Sequence, residues 1–364
     1  MVKVLLEKLT KKFGSALAVD GIDLEIRDKE FFVLLGPSGC GKTTTLNMIA
    51  GLEPITSGNI YFDGTLVNDI PPEKRDVAMV FQSYALYPQM NAFDNIAFPL
   101  KIRKLSTSEI KSRVEKTAEM LHIRPMLKKK PHELSGGERQ RVALARAIVR
   151  EPKAFLMDEP LSNVDAKLRV YMRAELIRLQ KDLQTTTIYV THDQVEAMSM
   201  ADRVAIMNLG KVAQVSDAMT IFNHPADSFV GGFVGTPPMN FFDCDLVKKG
   251  QQVFLQTPHF AIKLDDEVAK LVEEKAAGSE LTIGARPQDV SVTPRKSSEE
   301  DFEAEVYAVE PLGTETVVDL RVDDKIVKVV ASHAFDSRIM DRVWACVNKK
   351  RMHLFNRSDG KAIL

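Results

Sequence analysis

The feature that most constrains this chain is a loop, Gly36-Pro37-Ser38-Gly39-Cys40-Gly41-Lys42-Thr43, set between an apolar run and a segment of helical character. The run Phe31-Phe-Val-Leu-Leu35 reads as a buried strand, so the local order is strand, glycine loop, helix. The loop fits G-x-x-x-x-G-K-[ST], in which glycines let successive backbone N–H groups curl toward a phosphate chain without a Cβ in the way. A helix N-terminus adds the positive end of its dipole beneath the same phosphates. Lys42 can reach the outer phosphates and the Thr43 hydroxyl can take a place on Mg²⁺, with Thr44 closing the candidate nucleotide-binding stretch. Cys40 contributes its backbone N–H, and its thiol is incidental.

Two further runs, Ala154-Phe-Leu-Met157 and Thr187-Ile-Tyr-Val190, repeat the pattern of buried strand, polar turn and helix. Such alternation predicts an α/β core with a largely parallel sheet and helices on both faces. From about 88 to 152 the texture becomes helical, with Ile110, Val114, Ala118 and Leu121 at helical spacing, which predicts a helical subdomain inserted between two core strands. The glycine- and proline-rich stretch Gly231-Gly-Phe-Val-Gly-Thr-Pro-Pro238 marks a boundary, so residues 1–232 and 233–364 are expected to form separate domains. Beyond it, Val253–Gln256, Phe302–Val309, Thr316–Val322, Ile326–Ala331 and Arg342–Val347 read as short strands of a small barrel.

The strand Ala154–Met157 ends in Asp158-Glu159-Pro160. In a parallel α/β sheet ligands gather at the carboxyl ends of the strands. Asp158 there would hold Mg²⁺, and Glu159 would orient and deprotonate an attacking water. Further signal lies in Leu134-Ser-Gly-Gly-Glu-Arg-Gln-Arg-Val-Ala-Leu-Ala-Arg-Ala-Ile148. Ser135 and Glu138 are spaced as a capping box, which predicts a helix start. Two glycines, Gly136 and Gly137, in its first turn cost roughly 1 kcal/mol each. That expense points to a close approach of some group, for which a γ-phosphate is the natural candidate.

With these segments the chain resembles the ATPase subunits of ABC transporters, whose signature is usually written L-S-G-G-Q; Glu138 stands here for the glutamine. The resemblance implies roles for residues that would otherwise go unnoticed. Gln82, in Phe81-Gln-Ser-Tyr-Ala-Leu-Tyr-Pro88, is similar to the glutamine that touches Mg²⁺ and senses the membrane subunit. Leu161-Ser-Asn-Val-Asp165 resembles the loop that pairs across the dimer, and His192 resembles the switch histidine that contacts the γ-phosphate and the base. Phe13 resembles the aromatic that stacks on adenine, with Val19 flanking the same face. The family's signature serine and glycines close over ATP held by a second subunit, so a homodimer is implied. Gly235-Thr-Pro-Pro-Met-Asn-Phe241, Gly284-Ala-Arg-Pro-Gln-Asp289 and Val309-Glu-Pro-Leu-Gly313 resemble the OB-like regulatory and dimer-contact domain of maltose- and glycerol-phosphate-importer ATPase subunits.

That resemblance implies ATP and Mg²⁺ as cofactors, two integral membrane permease subunits as partners, and an extracytoplasmic solute-binding protein as an indirect one. It implies a peripheral location on the cytoplasmic side of the membrane. The residues fit this picture: no stretch approaches the ~18–20 apolar residues that span a bilayer, and the N-terminus lacks the pattern of a signal peptide. Three scattered cysteines make no disulfide framework. OB-like barrels also bind nucleic acid, but residues 233–364 carry 18 Lys+Arg against 22 Asp+Glu, the wrong balance for a phosphate groove. The alternative class is a soluble ABC-type ATPase of translation or repair, which usually carries two cassettes or a long coiled-coil insertion. Neither is present in the 364 residues.

Overall fold

A computed structural model describes residues 2–162, 164–332 and 335–364. Met1, read above with the N-terminus, and Asn163, in the Leu161–Asp165 loop, lie outside the described residues. The chain divides into two compact units, Met1–Ala218 and Met219–Leu364.

The first unit opens with β1 (Val4–Phe13) and β2 (Ala16–Ile26), an antiparallel hairpin turned at Gly14. Then come β3 (Phe31–Leu35), α1 (Lys42–Ala50), β4 (Ser57–Phe62), β5 (Thr65–Leu66) and β6 (Val77–Val80). Three helices follow, α2 (Ala92–Ile102), α3 (Thr107–Met120) and α4 (Gly136–Ile148). The remainder is β7 (Ala154–Asp158), α5 (Ala166–Leu183), β8 (Thr186–Thr191), α6 (Gln194–Met200), β9 (Arg203–Asn208) and β10 (Lys211–Ser216).

Six strands form a sheet in the order β10-β9-β3-β8-β7-β6, parallel except for β10. Strands β3 and β8 are buried along their whole length, as a parallel strand covered on both faces must be. Neighbours β6 and β7 are joined through α2, α3 and α4, the helical insertion. The unit also holds something the patterning did not foretell: a second, antiparallel sheet, β2-β1-β4-β5. Three register shifts interrupt the β1–β2 pairing, so the alternation of inward and outward residues that announces such a strand is broken. Leu6, Leu9, Val19 and Ile26 from this sheet join Leu34, Leu156 and Ile188 of the parallel sheet in one core.

The second unit begins fourteen residues before the expected boundary at 232/233. Helices α7 (Ala218–Asn223) and α8 (Ser228–Phe233) precede the first strand, and the stretch between and within them is tied to the chain's end. Ser228 N donates to Gly360 O at 2.8 Å, and Ala362 N donates to Ala226 O at 3.0 Å. The glycine-proline stretch is thus a bend within the second unit; Arg286 reaches back across it to donate to Val234 O at 2.6 Å. Two five-stranded antiparallel sheets follow. One contains β11 (Asn240–Lys249), β12 (Gln252–Gln256), β13 (Ala261–Lys263) and β14 (Glu280–Ala285), with α9 (Asp266–Lys275) between the last two. The other contains β15 (Val290–Thr293), β16 (Phe302–Pro311), β17 (Glu315–Val322), β18 (Lys325–Ser332) and β19 (Arg342–Val347), after which β20 (His353–Asn356) returns to the first. Phe242, Phe260 and Phe302 pack against one another at centroid distances of 4.8–5.8 Å in their shared core.

Candidate active site

Four neighbouring parallel strands, β3, β8, β7 and β6, deliver their carboxyl ends to one edge of the sheet. Just beyond those ends stand the cradle (Gly36–Thr43), His192, the pair Asp158 and Glu159, and Gln82. This is where the topology of a parallel sheet collects chemistry.

The cradle is shaped by glycine. Gly39 and Gly41 lie at φ +79° and +104°, and a Cβ on Gly41 would sit 2.4 Å from the Ala18 carbonyl oxygen. A Cβ on Gly36 would meet the Met207 carbonyl oxygen at 2.3 Å. Helix α1 starts at Lys42 without a side-chain cap, so the N–H groups of its first turn are left for a ligand. Lys42 is buried, and its ammonium donates to the carbonyls of Gly36 and Pro37 at 2.8 and 2.9 Å. Cys40 is buried in the loop, and burial pushes its thiol up from the ordinary range, away from thiolate reactivity.

Thr43 Oγ1 donates to Asp158 Oδ1 at 2.8 Å, which joins the cradle to the end of β7. Burial, seconded by the charge of Glu159, raises the Asp158 carboxyl above its ordinary value, against the pull of Thr43 and Lys42. Glu159 takes a left-handed backbone (φ +43°), a conformation that costs a non-glycine residue roughly 1–2 kcal/mol. It is held there by its N–H, which donates to Val190 O at 3.0 Å, and by Ser162 Oγ, which donates to its carbonyl at 2.9 Å. The Glu159 carboxylate is flanked on both sides: His192 Nδ1 lies 3.0 Å from Oε1, and Gln82 Nε2 donates to Oε2 at 3.3 Å.

Around His192 strand β8 and helix α6 are tied together, in part by residues that no sequence motif singled out. Glu196 is buried and accepts from Tyr189 Oη at 2.8 Å and Thr191 Oγ1 at 2.7 Å. Asp193 caps α6 by accepting from the N–H groups of Val195 and Glu196, and Arg169 of α5 approaches it at 3.4 Å. Asp165 caps α5 itself, accepting from Leu168 N at 2.9 Å. The signal for Asp193 and Asp165 was present as acids one residue before helical segments; that for Glu196 was not, because a buried carboxylate has no local pattern.

The signature helix begins as the capping box requires. Ser135 N donates to Glu138 Oε2 at 2.7 Å, and Glu138 N donates to Ser135 Oγ at 3.3 Å. That backbone bond from Ser135 is the first cause of the lowered Glu138 pKa. A Cβ on Gly137 would meet only the end of the Leu168 side chain, at 2.3 Å from Cδ2, a contact that a change of leucine rotamer relieves. Phe13 is half exposed with Lys11 Nζ 4.8 Å from its ring centroid, as a stacking surface needs. Val19 does not share that exposed face. It is fully buried, its Cγ2 packed under Gly41, because an apolar β-branched side chain on the inner side of β2 belongs to the core.

A phosphate cradle, an acid pair at the end of the adjoining strands and a capped signature helix define an ATP-binding cassette. Residues 19–162 match the family model described as ABC transporter, residues 235–290 the MalK OB fold domain, and residues 283–355 the TOBE domain. The chain is 50% identical to the trehalose/maltose import ATP-binding protein MalK of Thermococcus litoralis over the whole of both chains. It is 46% identical to the oligosaccharides import ATP-binding protein MsmX of Bacillus subtilis over 93% of each. Among solved structures it is similar to the dimeric ATP-binding cassette MJ0796 bound to ADP and Pi, with a TM-score of 0.54 and 32% identity over 59% of this chain and 98% of that one. The chain belongs to the ABC transporter ATP-binding proteins. It is an ATP-binding, ATP-hydrolysing subunit of an ABC importer rather than an ATPase unconnected with transport.

Proposed function

We propose that this chain powers sugar uptake as a homodimer seated on two integral membrane permease subunits, with an extracytoplasmic solute-binding protein delivering the solute. The sugar class follows the relatives, whose names specify trehalose, maltose and oligosaccharides. In this reading the chain lies on the cytoplasmic face and the permease subunits cross the membrane; among the described residues no helix is long and apolar enough to do so. A cleft of about 360 Å³ between the core and the helical insertion, lined by Leu52, Phe81, Ala85, Tyr87, Arg146 and Arg150, suits a permease segment beside Gln82. Half-exposed Leu52 gives that cleft an apolar wall.

Glu159 carries the chemistry. Its carboxylate accepts the proton of the attacking water, and His192 at 3.0 Å holds it in place and reaches toward the terminal phosphate. Lys42 leaves the carbonyls of Gly36 and Pro37 for the phosphates, to which the backbone N–H groups of Ser38–Thr44 donate. Phe13 stacks on the adenine. The Thr43 hydroxyl and the Asp158 carboxylate, 2.8 Å apart, are the hard oxygen donors that a magnesium ion takes, and Gln82 stands at the same edge. Bound there, Mg²⁺ would neutralise charge on the phosphates. Ser135, Gly136 and Gly137 face the second subunit's nucleotide, with Asp165 at the same interface.

The supporting observation is the grip of Gln82 and His192 on the two oxygens of Glu159, whose left-handed backbone is held by Val190 and Ser162. Glu159→Gln should keep nucleotide affinity within about threefold and lower turnover by roughly 10²–10⁴. Steady-state hydrolysis and nucleotide titration of the two proteins measure both; near-normal turnover removes Glu159 from the role.

A further inference from the structure

The segment that carries Gln82 has an unusual backbone. Tyr84 and Ala85, neither of them glycine, both lie in the left-handed region, at φ +62° and +44°. Tyr84 N donates to Phe81 O at 2.9 Å, so the turn closes directly over Gln82. The carbonyls that this backbone turns outward are both taken by one guanidinium: Arg146 donates through Nη2 to Tyr84 O at 2.9 Å and through Nη1 to Ala85 O at 2.7 Å. The same guanidinium lies 5.6 Å from the ring centroid of Tyr87. Arg146 belongs to α4, about three turns along from the capping serine.

We infer that Arg146 is a positioning residue for hydrolysis, a fork on the signature helix that holds the Gln82 turn in its left-handed shape. Gln82 and Ser135 are then coupled within one chain. A shift of the Gln82 segment pulls on α4 through two charge-assisted hydrogen bonds, and a shift of α4 moves Gln82 relative to Glu159. The chemistry of the fork explains the residue type. Arginine offers two parallel donors in a plane, matched to two adjacent carbonyls, while lysine offers a point charge that satisfies them one at a time. This inference rests on the proposed placing of Gln82 and Glu159 at the reacting phosphate.

The test uses the full chain and four variants: Arg146→Ala, Arg146→Lys, Ala85→Gly, and Arg146→Ala combined with Ala85→Gly. Nucleotide affinity, kcat and KM for MgATP are measured on each, with thermal midpoints alongside. Arg146→Ala should lower kcat about tenfold at nearly unchanged nucleotide affinity, and Arg146→Lys should recover part of the loss. Ala85→Gly added to Arg146→Ala should restore about threefold, because glycine takes the left-handed shape without help. A full kcat in Arg146→Ala overturns the inference. So does a loss that neither Arg146→Lys nor Ala85→Gly relieves, since Arg146 would then serve only general packing. Failure of the underlying site reading looks different: Glu159→Gln would hydrolyse ATP normally whatever Arg146 does.

Discussion

The cradle and the Gln82 turn both place left-handed backbone beside the nucleotide site, and they reach it by opposite means. In the cradle the unusual dihedrals fall on Gly39 and Gly41, where no side chain resists them. In the Gln82 turn they fall on Tyr84 and Ala85, at a cost of roughly 1–2 kcal/mol each, and are imposed by side chains from elsewhere. Arg146 holds the two carbonyls, and Asn95 of α2 clamps the end of the segment. Asn95 is fully buried; its Oδ1 accepts from Tyr87 N at 2.8 Å and its Nδ2 donates to the carbonyls of Tyr87, Met90 and Asn91 at 3.0–3.1 Å. One loop is rigid because of its own sequence. The other takes its shape from the helical insertion, and it can lose that shape when the insertion moves. A site that must bind ATP constantly but hydrolyse it on instruction needs one loop of each kind.

The largest effect expected from this contrast is at Gly41. Gly41→Ala puts a Cβ 2.4 Å from the Ala18 carbonyl oxygen at φ +104°, with no flexible neighbour to yield. Nucleotide affinity should fall at least about 100-fold, since the donors of the cradle move together. A titration showing less than about a threefold loss would mean that the cradle's shape does not depend on glycine. The next effect is at Asn95. Asn95→Ala removes four hydrogen bonds and leaves the part-buried Tyr87 N–H and Met90 carbonyl without those partners, which should cost about 2–4 kcal/mol of stability by denaturant unfolding. It should loosen the Gln82 segment, seen as faster amide exchange across 82–90, while nucleotide affinity stays within about threefold. Equal protection in the two proteins would show that the segment keeps its shape unaided.

The same contrast explains what could be read before the fold was known. The cradle, the capping box of α4 and the acids at the end of β7 are local: each is a handful of consecutive residues whose types satisfy one another. Arg146 acts across 61 and 62 positions, so no window of sequence contains both it and the carbonyls it holds. Asn95 and Glu196 bond within eight positions, but the burial that gives those bonds their weight belongs to the fold. The antiparallel β1–β2 pair was hidden by its register shifts, and the resemblance that set Val19 beside Phe13 carried no information about its burial. In the second unit β16, β17, β18 and β19 were legible as β-rich runs bounded by turns. Helix α9 was not, nor was the way α7 and α8 join that unit through Ala226, Ser228, Gly360 and Ala362, residues more than 130 positions apart.

On the proposed reading a second copy of the chain finishes the site. In one copy the hydrogen bonds of Ser135 run to Glu138 of its own helix, and on that reading the signature has its task across the dimer. Sedimentation of the Glu159→Gln chain with MgATP measures this most directly, because the trapped nucleotide should hold the closed pair together. The prediction is a dimer that forms with ATP, and a monomer when Ser135→Arg is added although the nucleotide is still bound. ATP-dependent dimers that survive Ser135→Arg, or a Glu159→Gln chain that binds ATP and stays monomeric, would contradict it.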